Sequence, residues 1–122
     1  MRLIEEIFGV EKPIIGMVHL KPLLGTPGFT NLREVLDSAL EDAGNLVEGG
    51  VDGLLIENFF DSPFHPDKVP PHVISSMTMI AWEIKKKYDL PIGINVLRND
   101  SEASLAIAST IGAKFILSLI HI

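Results

Sequence analysis

Short apolar runs alternate with amphipathic segments along this chain, and that alternation constrains its fold more than any other feature. Apolar runs of strand length occupy residues 13–19, 51–56, 91–97 and 113–116. Segments with apolar residues at i, i+3, i+4 and i+7 spacing occupy residues 32–47, 73–87 and 101–111. Because that spacing is typical of a helix face, and buried parallel strands are continuously apolar, the order predicts an α/β fold with a helix-covered parallel sheet.

Residues with known capping preferences mark the ends of these predicted helices. Asn31, followed three residues later by Glu34, resembles a capping box at the start of the first long helix. Gly49 and Gly112 follow the ends of two helices, a position that glycine commonly takes. A further short helix is predicted at residues 2–8 from the spacing of its apolar residues.

The predicted strands fit two architectures. A doubly wound open sheet can be complete at 122 residues, whereas a (β/α)8 barrel needs about 250 residues, so four strands would be half of one. Neither a glycine-rich dinucleotide fingerprint nor a phosphate-binding P-loop follows the first predicted strand, where an open nucleotide-binding sheet often carries one. Periodicity alone therefore leaves the barrel and the open sheet as alternatives.

Charge and composition exclude several classes of partner. The chain has 16 acidic and 10 basic residues, a formal net charge of −6, and no cysteine. An acidic chain whose longest basic run is the three lysines at 85–87, interpreted as a solvated helix end, is poorly suited to nucleic acid or to an anionic membrane surface. The lack of cysteine excludes disulfides and thiolate sites. The acidic N-terminal residues do not fit a signal peptide, and no run approaches the roughly 18 apolar residues of a membrane span. We expect a cytoplasmic protein.

Polar residues collect where the predicted strands end. In both parallel architectures the carboxyl ends of the strands form the functional edge of the sheet. The candidates there are His19, Lys21, Glu57, Asn58, Asp61, Asn95, Arg98, Asn99 and Asp100. At the opposite strand ends the sequence has Pro13, Val51 and Pro91, which are interpreted as structural.

Glu57 and His19 are the acid–base candidates. Glu57 follows a buried strand, and an unpaired buried carboxylate is costly, so we expect it to be buried and paired with Arg98 or another strand-end donor. An internal salt bridge with Arg98 is the structural alternative to a catalytic role, and His19 could simply bond a neighbouring carbonyl. If one site exists, His19, Glu57, Asn95 and Arg98 should converge within about 15 Å.

Four ordered stretches of the sequence resemble the BtpA/SgcQ family. They are residues 15–23, 48–58, 61–64 and 90–100, within a resemblance that runs from 12 to 116. The resemblance implies a TIM barrel of the ribulose-phosphate-binding type, of about 250 residues. It therefore favours the barrel, with this chain as the N-terminal half: parallel strands with three intervening helices.

The resemblance also implies two functions. One is an enzyme acting on a small polar or phosphorylated, sugar-like substrate, because relatives often lie near sugar-metabolism genes. The other is a non-catalytic accessory factor for photosystem I biogenesis, peripheral to the thylakoid. A catalytically silent fragment is a third interpretation, and a homo-oligomer is compatible with each.

On the enzyme hypothesis the candidates divide into groups. His19 and Glu57 would be catalytic, and the substrate-binding residues would be Lys21, Asn58, Asn95, Arg98 and Asn99. Arg98 suits a carboxylate or phosphate, and Lys21 could close over an anion or merely solubilise its loop. Asp61 and Asp100 could assist a divalent cation, while Asn99 and Asp100 are alternative caps of the next helix.

The last six residues depart from the family pattern. Residues 117–122 match the translation of a transposase adapter end used in sequencing libraries. We therefore expect a barrel domain over 1–116 and an adapter-derived tail over 117–122, in a sequence of metagenomic origin. A half-barrel exposes two strand edges and apolar side chains, so the isolated chain should associate in solution and turn over no substrate.

Overall fold

A computed structural model describes residues 2–61, 68–98 and 100–117 of the chain. Within these residues the strands and helices alternate in the predicted order, preceded by the predicted short helix. The elements are α1 Arg2–Phe8, β1 Ile15–His19, α2 Leu32–Glu48, β2 Gly53–Glu57, α3 Pro71–Lys87, β3 Ile92–Asn95, α4 Ser101–Ile111 and β4 Phe115–Ile116. The helices that were predicted from periodicity are confirmed, whereas the strands are shorter than predicted.

At several strand ends, backbone N–H groups donate to side chains instead of to a neighbouring strand. At the start of β1, Ile14 N donates to the Asp52 carboxylate at 2.8 Å. After β3, Val96 N donates to Ser104 Oγ at 3.0 Å and Leu97 N donates to Asn58 Oδ1 at 2.6 Å. The sheet ladder therefore ends at these positions although the apolar pattern continues.

The strands form a parallel sheet in the order β1-β2-β3-β4. Ile15 pairs with Gly53 at the amino end, while Glu57 pairs with both His19 and Asn95 at the carboxyl end. Each strand is joined to the next through a helix, as in a (β/α)8 barrel. The described residues therefore form half of a TIM barrel, as predicted.

One face of the sheet packs against the helices. Alternate strand residues point to opposite faces, and the set that includes Val18, Leu54 and Ile56 is fully buried. These side chains form a single cluster with helix residues such as Val35 and Met77. This helix-facing side is the hydrophobic core of the molecule.

The other face, here called the interior face, corresponds to the inside of a barrel. At its amino end the rings of Phe8 and Phe115 meet edge to face, with centroids 5.3 Å apart. Two glycines make room for these rings, since a Cβ on Gly53 would lie 2.7 Å from Phe8 Cε1 and one on Gly93 would overlap the Phe115 ring. The amino end of the interior face is therefore apolar and closely packed.

The helix caps are partly those that the sequence predicts. Asn31 Oδ1 accepts a hydrogen bond from Glu34 N at 2.9 Å, but the Glu34 carboxylate accepts from Thr30 Oγ1. Asp100 caps α4, accepting from Ala103 N at 2.9 Å. Within the described ranges, none of the helices is both long enough and apolar enough to cross a membrane.

Candidate functional site at the carboxyl edge of the sheet

The carboxyl end of the interior face carries a row of three polar side chains. His19, Glu57 and Asn95 are neighbours in the parallel register, each at the last position of its strand. In-register parallel strands put such residues side by side on one face. Three of the four residues that were expected to converge therefore lie side by side, while Arg98 is exposed in the loop after β3.

Glu57 is the centre of this row. Its Oε2 accepts a hydrogen bond from Asn95 Nδ2 at 2.6 Å, and its Oε1 lies 3.5 Å from His19 Nε2. The Glu57 side chain is 9% exposed and that of His19 is 35% exposed. Each carboxylate oxygen thus has a different partner, and only the histidine of this pair is substantially open to solvent.

The prediction that Glu57 is buried and paired is confirmed, but the preferred partner was wrong. Among the described residues Arg98 makes no ion pair with Glu57, and its side chain is exposed. The reason is register: Asn95 lies directly opposite Glu57, whereas Arg98 lies three positions beyond the end of β3. Asn95, and not Arg98, therefore contacts Glu57.

The Asn95 side chain has one unmet hydrogen-bonding group. It is fully buried, and its Oδ1 has no hydrogen-bond partner in the described part of the chain. Since a buried acceptor without a donor costs free energy, such groups occur most often where a ligand, a water molecule or a catalytic role explains them. The polar row thus has an unused acceptor beside its carboxylate.

Two aromatic side chains adjoin the row, and the sequence patterns did not single them out. The Phe59 ring stacks on the His19 imidazole, with centroids 4.2 Å apart and planes 15° apart. Phe60 meets the same imidazole edge-on at 6.3 Å. Their position directly after Glu57 and Asn58 was the available signal, because residues that follow a strand end share its edge of the sheet.

Asn58 and Asp61 hold the surrounding loops together. Asn58 Oδ1 accepts from Leu97 N at 2.6 Å, and Asn58 Nδ2 donates to Leu97 O at 3.1 Å. The Asn58 amide thus binds both backbone polar groups of Leu97. Asp61 accepts from Leu23 N at 2.8 Å and from Asn58 Nδ2 at 3.4 Å. These contacts join the loops after β1, β2 and β3.

Asp100 has a similar role on the next loop. Besides capping α4 through Oδ1, it accepts from Val69 N at 2.8 Å through Oδ2. Both oxygens of Asp61 and of Asp100 are thus occupied by protein donors. In the described ranges no group of three or more His, Asp or Glu side chains is arranged to hold a metal ion.

The remaining candidates lie at the periphery of this edge. Lys21 is exposed in the loop after β1, and Arg98 is exposed in the loop after β3. Asn99, predicted to bind substrate or to cap α4, lies outside the described residues, as does the tail from 118 to 122. The structure thus brings three of the predicted site residues together and gives Asn58, Asp61 and Asp100 structural contacts.

Comparison with known proteins shows where this fold and site belong. The chain is 47% identical over 112 residues to the photosystem I biogenesis protein BtpA of Synechocystis sp., covering 91% of this chain and 39% of that protein. It is 47% identical over 107 residues to a protein of Archaeoglobus fulgidus, covering 88% of this chain and 43% of that protein. It is 37% identical over 119 residues to the sgc region protein SgcQ of Escherichia coli, covering 95% of this chain and 44% of that protein.

The chain therefore spans about two fifths of the length of these curated relatives. The sequence pattern of the BtpA family matches residues 10–121, which is nearly the whole chain. That match includes every strand of the described sheet and the polar row at its carboxyl edge. The chain belongs to the BtpA family.

Proposed function

We propose that this chain supplies the acid–base pair of a barrel enzyme that acts on a small polar or phosphorylated, sugar-like substrate. The observation that carries the proposal is the placement of Glu57 between His19 and Asn95 at the carboxyl edge of the sheet. Barrel enzymes bind and transform substrates at that edge. A buried carboxylate in contact with a half-exposed imidazole is an arrangement suited to proton transfer.

The two members of the pair have different exposures and therefore different proposed roles. His19 is open enough to meet a substrate, whereas Glu57 is nearly covered. In this proposal His19 exchanges a proton with the substrate, and the Glu57 carboxylate stabilises the imidazolium that forms. The Asn95 amide holds the far oxygen of Glu57 in place, much as a third group orients the base in other acid–base systems.

The charged side chains at the periphery support an anionic substrate. Lys21 and Arg98 are exposed on loops at the same edge of the sheet. A guanidinium binds a phosphate or carboxylate through two parallel hydrogen bonds, and an ammonium adds a point charge. We therefore place these two residues, with Asn99, in the substrate-binding part of the proposal. These roles require no cation at Asp61 and Asp100, and the hydrogen bonds that their oxygens accept give the two residues structural contacts.

The test uses a joined protein, in which residues 1–116 of this chain are followed by the remainder of the Archaeoglobus fulgidus relative, so that the full family length is present. Uptake of deuterium from solvent into carbon-bound positions is followed by NMR for a panel of aldose and ketose phosphates and the parent sugars. Glu57→Gln and His19→Gln should each slow uptake by about 100-fold or more, while the exposed Asn45→Ala should have no effect. Unchanged uptake in both site variants would contradict the acid–base roles, and no uptake with any compound would contradict the substrate class.

A non-catalytic role in photosystem I biogenesis is the second candidate, favoured by the name of the Synechocystis relative. In that case the protein would act at the thylakoid periphery through its surface. Complementation of a Synechocystis strain that lacks this relative, with the joined protein carrying Glu57→Gln, separates the two proposals. Full photosystem I levels in the Glu57→Gln strain support the accessory role, and loss of photosystem I supports the acid–base role.

A further inference from the structure

The two phenylalanines beside the polar row occupy a tight turn that is held at both ends. Asp61 N donates to Asn58 O at 3.1 Å, which closes a four-residue turn with Phe59 and Phe60 at its centre. Asn58 is bound to Leu97, and Asp61 is bound to Leu23. Both end residues are buried. The backbone of Phe59 is therefore placed by hydrogen bonds on either side of it.

The side chains of the two phenylalanines are nevertheless largely open. Phe59 is 44% exposed and Phe60 is 50% exposed, and their rings meet edge to face with centroids 5.1 Å apart. Neither ring is part of the buried core. The stack on His19 is the contact that links Phe59 to the polar row.

We infer that Phe59 is a positioning residue, whose ring holds the His19 imidazole in the plane in which Nε2 faces Glu57. This inference rests on the proposed function, because it assigns Phe59 a part in the same acid–base pair. The 3.5 Å separation of Nε2 and Oε1 is longer than the usual N–H···O hydrogen bond, and that contact alone holds the ring weakly. The nearly parallel Phe59 ring adds the missing constraint, since rotation of the imidazole out of the stack would drive its edge into the phenyl face.

Phe60 provides a matched comparison within the same turn. It is equally exposed and equally aromatic, but it meets His19 at an interplanar angle of 86° and a centroid distance of 6.3 Å. At that distance and angle it covers no face of the imidazole. A change at Phe60 therefore removes similar apolar surface without releasing the imidazole ring.

NMR of the 122-residue chain with ring-¹⁵N, ¹³Cε1-labelled histidine tests the inference. The chain has four histidines, and His19→Gln assigns the His19 signals; magic-angle spinning allows the same measurement on a sedimented sample. In the unchanged chain and in Phe59→Tyr we expect an upfield ring-current shift of the His19 Cε1 proton and one predominant tautomer. In Phe59→Leu we expect loss of the upfield shift and a mixture of tautomers, whereas Phe60→Leu keeps the single tautomer.

Two results would overturn the inference: a single unchanged tautomer in Phe59→Leu, or the same loss of orientation in Phe60→Leu. Phe59→Met replaces Phe59→Leu if the latter does not fold, as judged by circular dichroism. In the joined protein, Phe59→Leu should lower kcat for deuterium uptake by about tenfold with KM unchanged, and Phe59→Tyr should restore it.

The same experiments separate a failure of this inference from a failure of the proposed function. If Glu57→Gln abolishes uptake while Phe59→Leu changes neither the tautomer nor kcat, the inference fails and the proposed function stands. If Phe59→Leu releases the imidazole but Glu57→Gln and His19→Gln leave uptake unchanged, the proposed function fails and the orienting contact stands.

Discussion

The interior face of the sheet has two ends of opposite character only one or two rows apart. At the amino end, the rings of Phe8 and Phe115 occupy the space that side chains on Gly53 and Gly93 would need, and the packing is close and apolar. At the carboxyl end, the same strands present His19, Glu57 and Asn95, which contact one another through polar atoms. Neighbouring positions in one register therefore serve packing at one end and form the proposed acid–base site at the other.

The largest loss of stability is expected from overpacking the amino end. Gly93→Val would place side-chain atoms where the Phe115 ring lies. We expect the free energy of unfolding to fall by about 3 kcal/mol, because an added side chain in a filled space forces its neighbours to shift. Chemical denaturation of the joined protein measures this, with Gly49→Ala as the control, since a Cβ there meets its nearest atoms at an ordinary 3.4 Å. A Gly93→Val chain as stable as the control would remove the packing role from the amino end.

A smaller loss is expected at the carboxyl end from the residue that ties the loops. Asn58→Ala removes the partner of both Leu97 backbone groups and leaves them buried without it. We expect a loss of about 2 kcal/mol, because unsatisfied buried groups retain their desolvation cost. The exposed Asn45→Ala is the control in the same denaturation series. Equal stability of the two variants would show that the loops are held by other contacts.

A smaller loss is expected at Asp100, which is buried and whose two hydrogen bonds cap α4 and hold Val69 N. Asp100→Ala removes the cap of α4 and the partner of Val69 N. Loss of an N-cap typically costs about 1 kcal/mol. Asp37→Ala, on the exposed side of α2, is the matched acidic control. If Asp100→Ala lost as much stability as Asn58→Ala, the hydrogen bond from Val69 N to Asp100 would contribute more than an ordinary N-cap does.

The smallest effect on stability should come from the centre of the polar row. In Glu57→Gln the amide oxygen can still accept the Asn95 hydrogen bond, and only the contact with His19 changes. We expect the free energy of unfolding to change by less than about 1 kcal/mol, although the acid–base proposal requires a large loss of activity. A loss as large as that of Gly93→Val would erase the contrast between the two ends and identify Glu57 as a structural carboxylate.

The helices and the succession of elements along the chain could be predicted from sequence because they depend on local spacing, whereas the barrel-type strand order was implied only by the family resemblance. The helix predicted at 101–111 is α4, and the N-cap predicted at Asn31 forms the expected bond to Glu34 N. The edge of the sheet where polar residues meet was also predictable, since parallel strands end together. The polar row could be predicted because each of its residues stands at the end of a predicted strand and parallel strands end at the same edge.

The partners of individual side chains were not predictable in the same way. Arg98 was the expected partner of Glu57 because of its charge, yet register puts Asn95 there. Asn58 and Asp61 looked like substrate and cation ligands because of their position, yet they bond to backbone groups up to 39 residues away in the chain. Such contacts depend on how loops cross one another, which periodicity does not encode.

The double hydrogen bond from Asn58 to Leu97 has a consequence for recombination within this family. Each strand–helix unit of a barrel is often regarded as an exchangeable module. Here, however, a side chain of the second unit forms hydrogen bonds with backbone groups of the third unit. If the second unit alone were exchanged for one without an amide side chain at the position of Asn58, the loop after β3 would lose its hydrogen bonds at Leu97. A productive crossover between homologues should therefore fall before β2 or after the loop that follows β3, so that Asn58 and Leu97 are inherited together.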